Sequence, residues 1–416
     1  MINLPKDFEE YTKKLFGDDT FNRFVESLTE KQPVSVRLNP FKPGKTFEGE
    51  AIPWCSGGMW LNERPDFTLD PLLHAGCYYV QEAASMFLDE VLRLCVKEPV
   101  TMLDLCAAPG GKSTLSRSAL PAGSLLYSNE PEHRRANILM ENLQKQGHPD
   151  VIVTNNYAKD YQKSKIIFDV VLADVPCSGE GMFRKDEGAI KEWSINNVMK
   201  CRELQRSIIE DIWPCLRDGG LLIYSTCTFN TRENEENVKW ISETLGAEIV
   251  SIETQKNWNI TGSLLDGFDK PVYRFIPGIT KTEGLFMAVL RKGDDNEQEF
   301  VSNREKKNNK KDKKKNGILR ILHDGNNIDL QRGERDNVIH AEALMINLKK
   351  YKYPQVELSL EQSLLYLRHE AIVLEPDIPR GHVIVCYQGH PLGFVKNIGN
   401  RANNLYPQEW RIRKMI

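Results

Sequence analysis

No run of about 18 consecutive apolar residues occurs in the chain, so no membrane-spanning helix is expected. Cysteine is present in an odd number, nine, with no C-x-x-C pair, and the eight histidines are scattered; the pattern supports neither a disulfide framework nor a metal site. Charge is nearly balanced, 55 basic against 58 acidic residues for a net −3, so a polyanion can be gripped only locally. There is no internal repeat, which argues against a solenoid or propeller. The opening MINLPKDFEEYTKKLF carries acids and no apolar h-region, and a cytoplasmic protein is expected.

What the chain does have is length and pattern. With 416 residues, 40% of them hydrophobic, it has room for two or three domains. Residues 1–95 show apolar residues at helical spacing in FEEYTKKLF and TFNRFVESL, then a short strand-like PVSVRLNP and the helix-bearing YYVQEAASMFLDEVLRL, where Gln81 and Glu82 stand near the helix start. From 96 to 293 short apolar runs (VTMLDLCA, GSLLYSNE, DVIVTNN, FDVVLADVP, GGLLIYSTC, AEIVSIE, EGLFMAVLRK) alternate with amphipathic helices. That alternation predicts an α/β domain with a mostly parallel, doubly wound sheet. Residues 294–316 have no periodicity and pack seven lysines between Lys306 and Lys315, as a linker would. The block 317–416 has its own apolar runs, AIVLEP, HVIVCYQG and PLGFVKNI, which predict strands, and ends in the basic, aromatic NRANNLYPQEWRIRKM.

The run TMLDLC leads into AAPGGKST, whose small residues and paired glycines let backbone approach a ligand at a helix N-terminus. Two readings compete. CAAPGGKS fits a phosphate-binding G-x-x-x-x-G-K-[ST] except that Cys106 replaces the first glycine, and FDVVLAD imitates a magnesium-holding strand; that reading is a nucleotidase. In the other, Cys106 to Lys112 (Cys106, Ala107, Ala108, Pro109, Gly110, Gly111 and Lys112) line an S-adenosyl-L-methionine site. There Glu130, at the end of the next strand, takes the ribose hydroxyls.

Two later strands end in cysteine, FDVVLADVPCSG at Cys177 and GGLLIYSTCTFN at Cys227. Ligands in such sheets sit beyond the carboxyl ends of the strands, so both thiols can face one pocket. Two thiols, an acid and a methyl donor suit methylation of pyrimidine carbon 5: a thiolate adds to carbon 6, carbon 5 becomes nucleophilic, takes the methyl, and a base then removes its proton. Asp174 is the natural acid to face N3 and the amino group of cytosine.

LDLCAAPGGKS, DVPCSG and YSTCT, in this order and spacing, resemble the Sun-family (NOL/NOP/Sun) RNA cytosine-5 methyltransferases. PVSVRLNP, YYVQEAAS, CSGEGMFRKD and GNRANNLYPQEW extend the likeness over most of the chain, toward the subgroup of ribosomal RNA small-subunit methyltransferase F. The resemblance implies a Rossmann-like methyltransferase domain flanked by an N-terminal α+β segment and a small, β-rich PUA-like RNA-binding region. It also implies that Cys227 attacks carbon 6, that Cys177 assists release, and that Asp174 lies between donor and cytosine. The family often carries an acid after the third strand for the adenine amino group; here Asn155 and Asn156 stand there, which leaves that contact unassigned.

The partner implied is RNA, as small-subunit ribosomal RNA or the subunit itself, with no DNA, no membrane and a monomeric enzyme. Arg37, the lysine run, and Lys396, Arg401, Trp410, Arg411, Arg413 and Lys414 are candidates to hold it, with Tyr406 and Trp410 equally suited to a small β core. Besides a nucleotidase, the remaining alternative is a non-catalytic RNA-binding assembly factor, which has no use for a thiol at each of two strand ends.

Overall fold

The computed structural model describes residues 3–293, 319–327, 338–346 and 353–414. The lysine-rich stretch 294–316 lies outside the described residues. The chain opens with α1 (Lys6–Phe16) and α2 (Asp18–Thr29), where the apolar spacing predicts helices. Phe21, Phe24 and Leu28 form one buried stripe of α2, and Phe8 is fully buried from α1. Phe8 meets Phe183 edge-on with ring centroids 5.0 Å apart, and Phe24 meets Phe229 at 5.4 Å. The helical hairpin is thereby seated on the two loops that follow the cysteine-bearing strands. β1 (Val34–Leu38), β2 (Gly49–Ala51), β3 (Gly58–Leu61) and β4 (Tyr78–Val80) form an antiparallel sheet in the order β2-β3-β1-β4. Only β1 was expected; three or four residues are too few for alternation to show in β2, β3 and β4.

Among the described residues the central sheet has nine strands. Its parallel middle is β9-β8-β5-β6-β7, formed by β5 (Thr101–Asp104), β6 (Leu125–Asn129), β7 (Val151–Thr154), β8 (Phe168–Asp174) and β9 (Leu216–Thr226). The chain moves outward from β5 through β6 to β7, then crosses back to place β8 on the other side of β5, so the strand order reverses between β5 and β8. Ligands bind at such a reversal. Helices cover both faces, which is why these strands read as continuous apolar runs: Met102, Leu126 and Ile223 enter one core, Leu103, Tyr127 and Leu222 the other. β10 (Ala247–Val250), β11 (Tyr273–Phe275) and β12 (Leu285–Lys292) extend the sheet antiparallel beyond β9. At the opposite edge β13 (Ile321–Asp324) pairs antiparallel with β7. The block read as beginning at 317 thus gives its first strand to the central sheet.

The C-terminal sheet runs β14 (Gln355–Glu357), β15 (Gly381–Tyr387), β16 (His390–Asn397) and β17 (Ala402–Asn404) in that order. AIVLEP is not one of its strands: only Ile372 makes a bridge, to Ala402, before Pro376, which has no N–H to continue a ladder. Tyr406 and Trp410 are core residues, 1% and 8% exposed, whereas Lys396, Arg401, Arg411, Arg413 and Lys414 face solvent. Arg37 does not, being 3% exposed beneath the N-terminal sheet.

One buried ion pair ties the edge of the sheet to the helix behind Cys227. Arg274 on β11 and Glu235, which opens the helix Glu235–Leu245, are both 0% exposed and meet at 2.7 Å. Arg274 also donates to the Gly262 carbonyl, and Glu235 accepts from the Leu264 N–H. Removing one partner of such a pair strands a charge. Arg274→Met is expected to lower unfolding stability by about 3–5 kcal/mol. Adding Glu235→Gln should recover part of that loss, as read by denaturant unfolding of the three variants.

Candidate active site

β5 ends at Asp104, and the chain turns through Leu105–Gly110 into the helix Gly111–Ala119. Gly110 caps that helix with φ +114°, a backbone conformation that side chains rarely adopt, and a Cβ on Gly111 would lie 3.2 Å from the Tyr79 ring. The loop lines a cavity of about 350 Å³, whose wall includes Cys106, Lys112, Asp174, Met182, Lys185 and Glu283. Burial, with Asp104 and Glu130 nearby, raises the Cys106 thiol well above its ordinary value and keeps it neutral.

Two acids below the loop hold unpartnered oxygens. Asp104 is fully buried; its Oδ2 accepts from Ser113 Oγ at 2.6 Å, while Oδ1 has no hydrogen bond. Burial raises its carboxyl to about 7 against the Ser113 bond, which works the other way. Glu130 is 1% exposed, with Oε1 accepting from the Glu132 N–H at 3.1 Å. Its Oε2 makes no hydrogen bond and has only Arg135 Nη2 at 3.5 Å. Buried acceptors of this kind call for donors, and the ammonium and ribose hydroxyls of S-adenosyl-L-methionine are donors of the right type. Asn155 and Asn156 have structural duties. Asn155 Nδ2 donates to the carbonyls of Glu130 and Pro131, both at 2.9 Å, and the Asn156 side chain brackets the backbone of Arg320 ahead of β13.

Lys112 and Ser113 decide between the two readings of the glycine loop. A phosphate loop needs the lysine free for phosphate and the hydroxyl free for magnesium. Here Lys112 Nζ pairs with Asp174 Oδ2 at 2.9 Å, and the Ser113 hydroxyl is committed to Asp104. Burial disfavours the Lys112 ammonium, but Asp174 outweighs it, and the net shift is upward. Among the described residues no cluster of His, Cys, Asp or Glu could hold a metal ion.

Cys177 and Cys227 lie on the loops after β8 and β9, and their Sγ atoms are 3.2 Å apart. The hydrogen bond to Cys227 and then burial drive the Cys177 thiol far upward, so it stays protonated. The loops are joined by groups that the motifs do not reveal. Glu180 Oε2 accepts the backbone N–H groups of Phe229 and Asn230 at 2.6 and 3.0 Å, and Oε1 accepts from Trp193 and from Asn230 Nδ2, both at 3.0 Å. Glu233 returns the arrangement: Oε2 accepts the Ser178 N–H at 3.0 Å and Gln205 Nε2 at 2.7 Å, and Oε1 accepts Asn230 Nδ2 at 2.8 Å. Burial, reinforced by the charge of Glu180, raises Glu233 to about 7. The Gly181 N–H reaches the Cys227 carbonyl at 2.7 Å, and a Cβ on Gly181 would stand 2.6 Å from that oxygen, so only glycine fits. Two acids flanked by glycine and asparagine in CSGEG and TFNTRENE are the only sequence trace of this network.

The structure therefore gathers Cys106–Pro109, Gly111, Lys112 and Asp174 at one cavity, with Gly110 behind them as the helix cap and Glu130 below the loop, and sets the two thiols against each other on the loops beyond β8 and β9. Comparison with known proteins gives this arrangement its family. The family described as 16S rRNA methyltransferase RsmB/F matches residues 91–291, the N-terminal domain of 16S rRNA methyltransferase RsmF matches 4–83, and the methyltransferase RsmF PUA domain matches 353–412. Ribosomal RNA small subunit methyltransferase F of Shewanella loihica is 28% identical over 98% of this chain and 96% of its own; that of Erwinia tasmaniensis is 28% identical over 98% and 97%. A methyltransferase homolog protein from Pyrococcus horikoshii superposes with a TM-score of 0.61 at 25% identity, over 70% of this chain and 96% of its own. NSun6 from the same organism, solved with SFG, shares the fold with a TM-score of 0.59 at 21% identity, over 70% of this chain and 99% of its own. The nucleotidase and assembly-factor readings fall with these matches: the chain is a Sun-family rRNA methyltransferase, dependent on S-adenosyl-L-methionine and carrying a C-terminal PUA RNA-binding domain.

Proposed function

We propose that the protein methylates carbon 5 of a cytosine in small-subunit ribosomal RNA through a covalent adduct at carbon 6. The observation that carries this reading is the contact of two thiols, 3.2 Å apart, on the loops beyond β8 and β9, with Asp174 at the end of β8 on the wall of the glycine-loop cavity. S-adenosyl-L-methionine supplies a methyl group on a positively charged sulfur. Cys106–Lys112 and Glu130 hold it, with Asp104 as an added acceptor, and Asp174, paired to Lys112, faces both donor and base. Cys227 adds as thiolate to carbon 6. Cys177 stands beside it, sulfur to sulfur at 3.2 Å. After methyl transfer a base takes the carbon-5 proton, the electrons of that C–H bond re-form the 5,6 double bond, and the bond from carbon 6 breaks to return the Cys227 thiolate, with Cys177 assisting the release. The target cytosine enters unpaired or flipped out. The PUA domain and N-terminal segment hold the flanking RNA, with Lys396, Arg401, Arg411, Arg413 and Lys414 on the solvent side. One chain carries every part, and it acts as a monomer.

The assignment of the thiols is tested on a denaturing gel, with wild type, Cys177→Ala and Cys227→Ala each incubated with S-adenosyl-L-methionine and labelled small-subunit ribosomal RNA. Cys177→Ala should accumulate a protein–RNA band and Cys227→Ala none. The reverse pattern would exchange their roles. A second measurement concerns the carboxylate that aligns the loops. Because misplacing a reacting group by 1 Å costs on the order of 10²-fold in rate, Glu180→Gln is expected to slow adduct formation by about that factor. Affinity for S-adenosylhomocysteine should stay within about twofold by calorimetry, since Glu180 lies outside the donor wall; equal loss of both would make Glu180 a general folding residue.

A further inference from the structure

A second cavity, of about 240 Å³, lies on the other side of Tyr79 and Val80, which line both it and the donor cavity. Its remaining wall comes from β1, β4, the short helix Pro71–His74, the helix Gly111–Ala119 and the helix His133–Gln146, and includes Arg37, Leu73, Tyr78, Asn142 and Gln146. Two polar groups in it are unusual. Arg37 is 3% exposed, yet among the described residues it has no carboxylate at ion-pair distance; its guanidinium donates only to neutral oxygens, Gln81 Oε1 at 2.9 Å, Thr114 Oγ1 at 2.7 Å and Ser118 Oγ at 3.4 Å. Of its five N–H groups, those bonds leave two open. Gln146 is 4% exposed and its Oε1 has no partner. The amide cannot be turned to relieve this, because Nε2 donates to the Thr114 carbonyl at 2.6 Å, an atom that only accepts. Both side chains bond to Thr114 and Ser118, so an open cationic donor and an open acceptor sit within one helical turn of each other.

A phosphate would answer Arg37 and leave Gln146 unmet. The edge of a nucleobase offers an acceptor beside an N–H donor and meets both, while its faces suit the rings of Tyr78 and Tyr79 and the side chains of Leu73 and Val80. The volume lies below the ~300 Å³ at which pockets for drug-sized ligands begin, which suits one base and not a dinucleotide. We propose that this cavity receives a single unstacked base of the RNA near the target cytosine, read by Arg37 and Gln146. The identity of the ligand as RNA rests on the function proposed above; the presence of a nucleobase site does not. Arg37 then contacts RNA from inside the fold, through a base, and not from the surface through the backbone.

The test separates the two. Full-length protein with its donor cavity saturated by S-adenosylhomocysteine is titrated with each of the four nucleoside 5′-monophosphates, and separately with inorganic phosphate, followed by ligand-observed NMR. At least one nucleotide should bind, with its dissociation constant raised ~10-fold by Gln146→Met, the size of one lost neutral hydrogen bond. Leu73→Phe, which fills the cavity from the opposite wall and removes no hydrogen bond, should weaken the same nucleotide, so a folding defect in either variant is not mistaken for the effect. On ribosomal RNA both variants should raise KM and leave kcat unchanged. Equal nucleotide binding by wild type and both variants, displacement by phosphate alone, or no nucleotide binding would each overturn the proposal. Nucleotide binding with the expected variant losses but no methyl transfer to RNA by the wild type would keep the cavity and sink the proposed function.

Discussion

The active site depends on two carboxylates buried where carboxylates are costly. Glu180 and Glu233 are each out of contact with water, and each is made tolerable by hydrogen bonds from the opposite cysteine loop. Asn230 donates to both and locks them together. Since each acid loses backbone donors unless its loop lies against the other, the desolvation penalty becomes a force that sets the separation of the thiols. The same penalty explains why Glu233 holds its proton to about 7 while surrounded by donors: burial outweighs them, and Glu180 adds its charge. The α1–α2 hairpin completes the arrangement, for Phe8 and Phe24 rest on Phe183 and Phe229, and the Tyr11 hydroxyl meets Thr231 Oγ1 at 2.9 Å. The N-terminal helices are thus structural walls of the two cysteine loops.

How far the sequence could be read follows from the range of the interactions involved. Strands β5 to β9 were legible because burial on both faces writes an unbroken apolar run, and the cysteines were legible because they sit at the ends of such runs. The antiparallel β11, β13 and the three short N-terminal strands were not, since three or four residues carry no period and their pairing is decided by partners elsewhere in the chain. Glu180 and Glu233 look like ordinary acids in a loop; nothing local distinguishes a carboxylate that accepts two backbone N–H groups some 50 residues away from one in water. Arg37 misled for the same reason. A lone arginine beside LNP reads as surface charge, and its burial comes from Gln81, Thr114 and Ser118, all at least 44 positions distant.

Packing also joins what composition separates. One core mixes Val36 and Tyr78 of the N-terminal sheet with Leu364, Val383 and Trp410 of the PUA domain, and Lys145 of the catalytic domain stands over the Trp410 ring at 5.2 Å. The three regions therefore meet around the helix His133–Gln146, next to the second cavity. Exposed Arg411, Arg413 and Lys414 belong to the segment that carries Trp410, so the basic surface proposed to meet RNA and the N-terminal sheet share one packed core.

The glycine loop shows why a motif does not settle chemistry by itself. CAAPGGKS has the lysine and hydroxyl that bind phosphate and magnesium in another fold, at nearly the same spacing. What differs is the acids they meet. Asp174 at the end of β8 neutralises Lys112, and Asp104 at the end of β5 takes the Ser113 hydroxyl, so the loop presents small residues and backbone to its ligand where a phosphate loop presents a free cation. A trianionic phosphate would have to break both contacts and face two carboxylates. A donor carrying a positive sulfur and an ammonium gains from those same charges. With Lys112 cancelled by Asp174, no free cation faces the ligand, and the unpartnered oxygens of Asp104 and Glu130 favour a donor with an ammonium and hydroxyls over a nucleotide triphosphate.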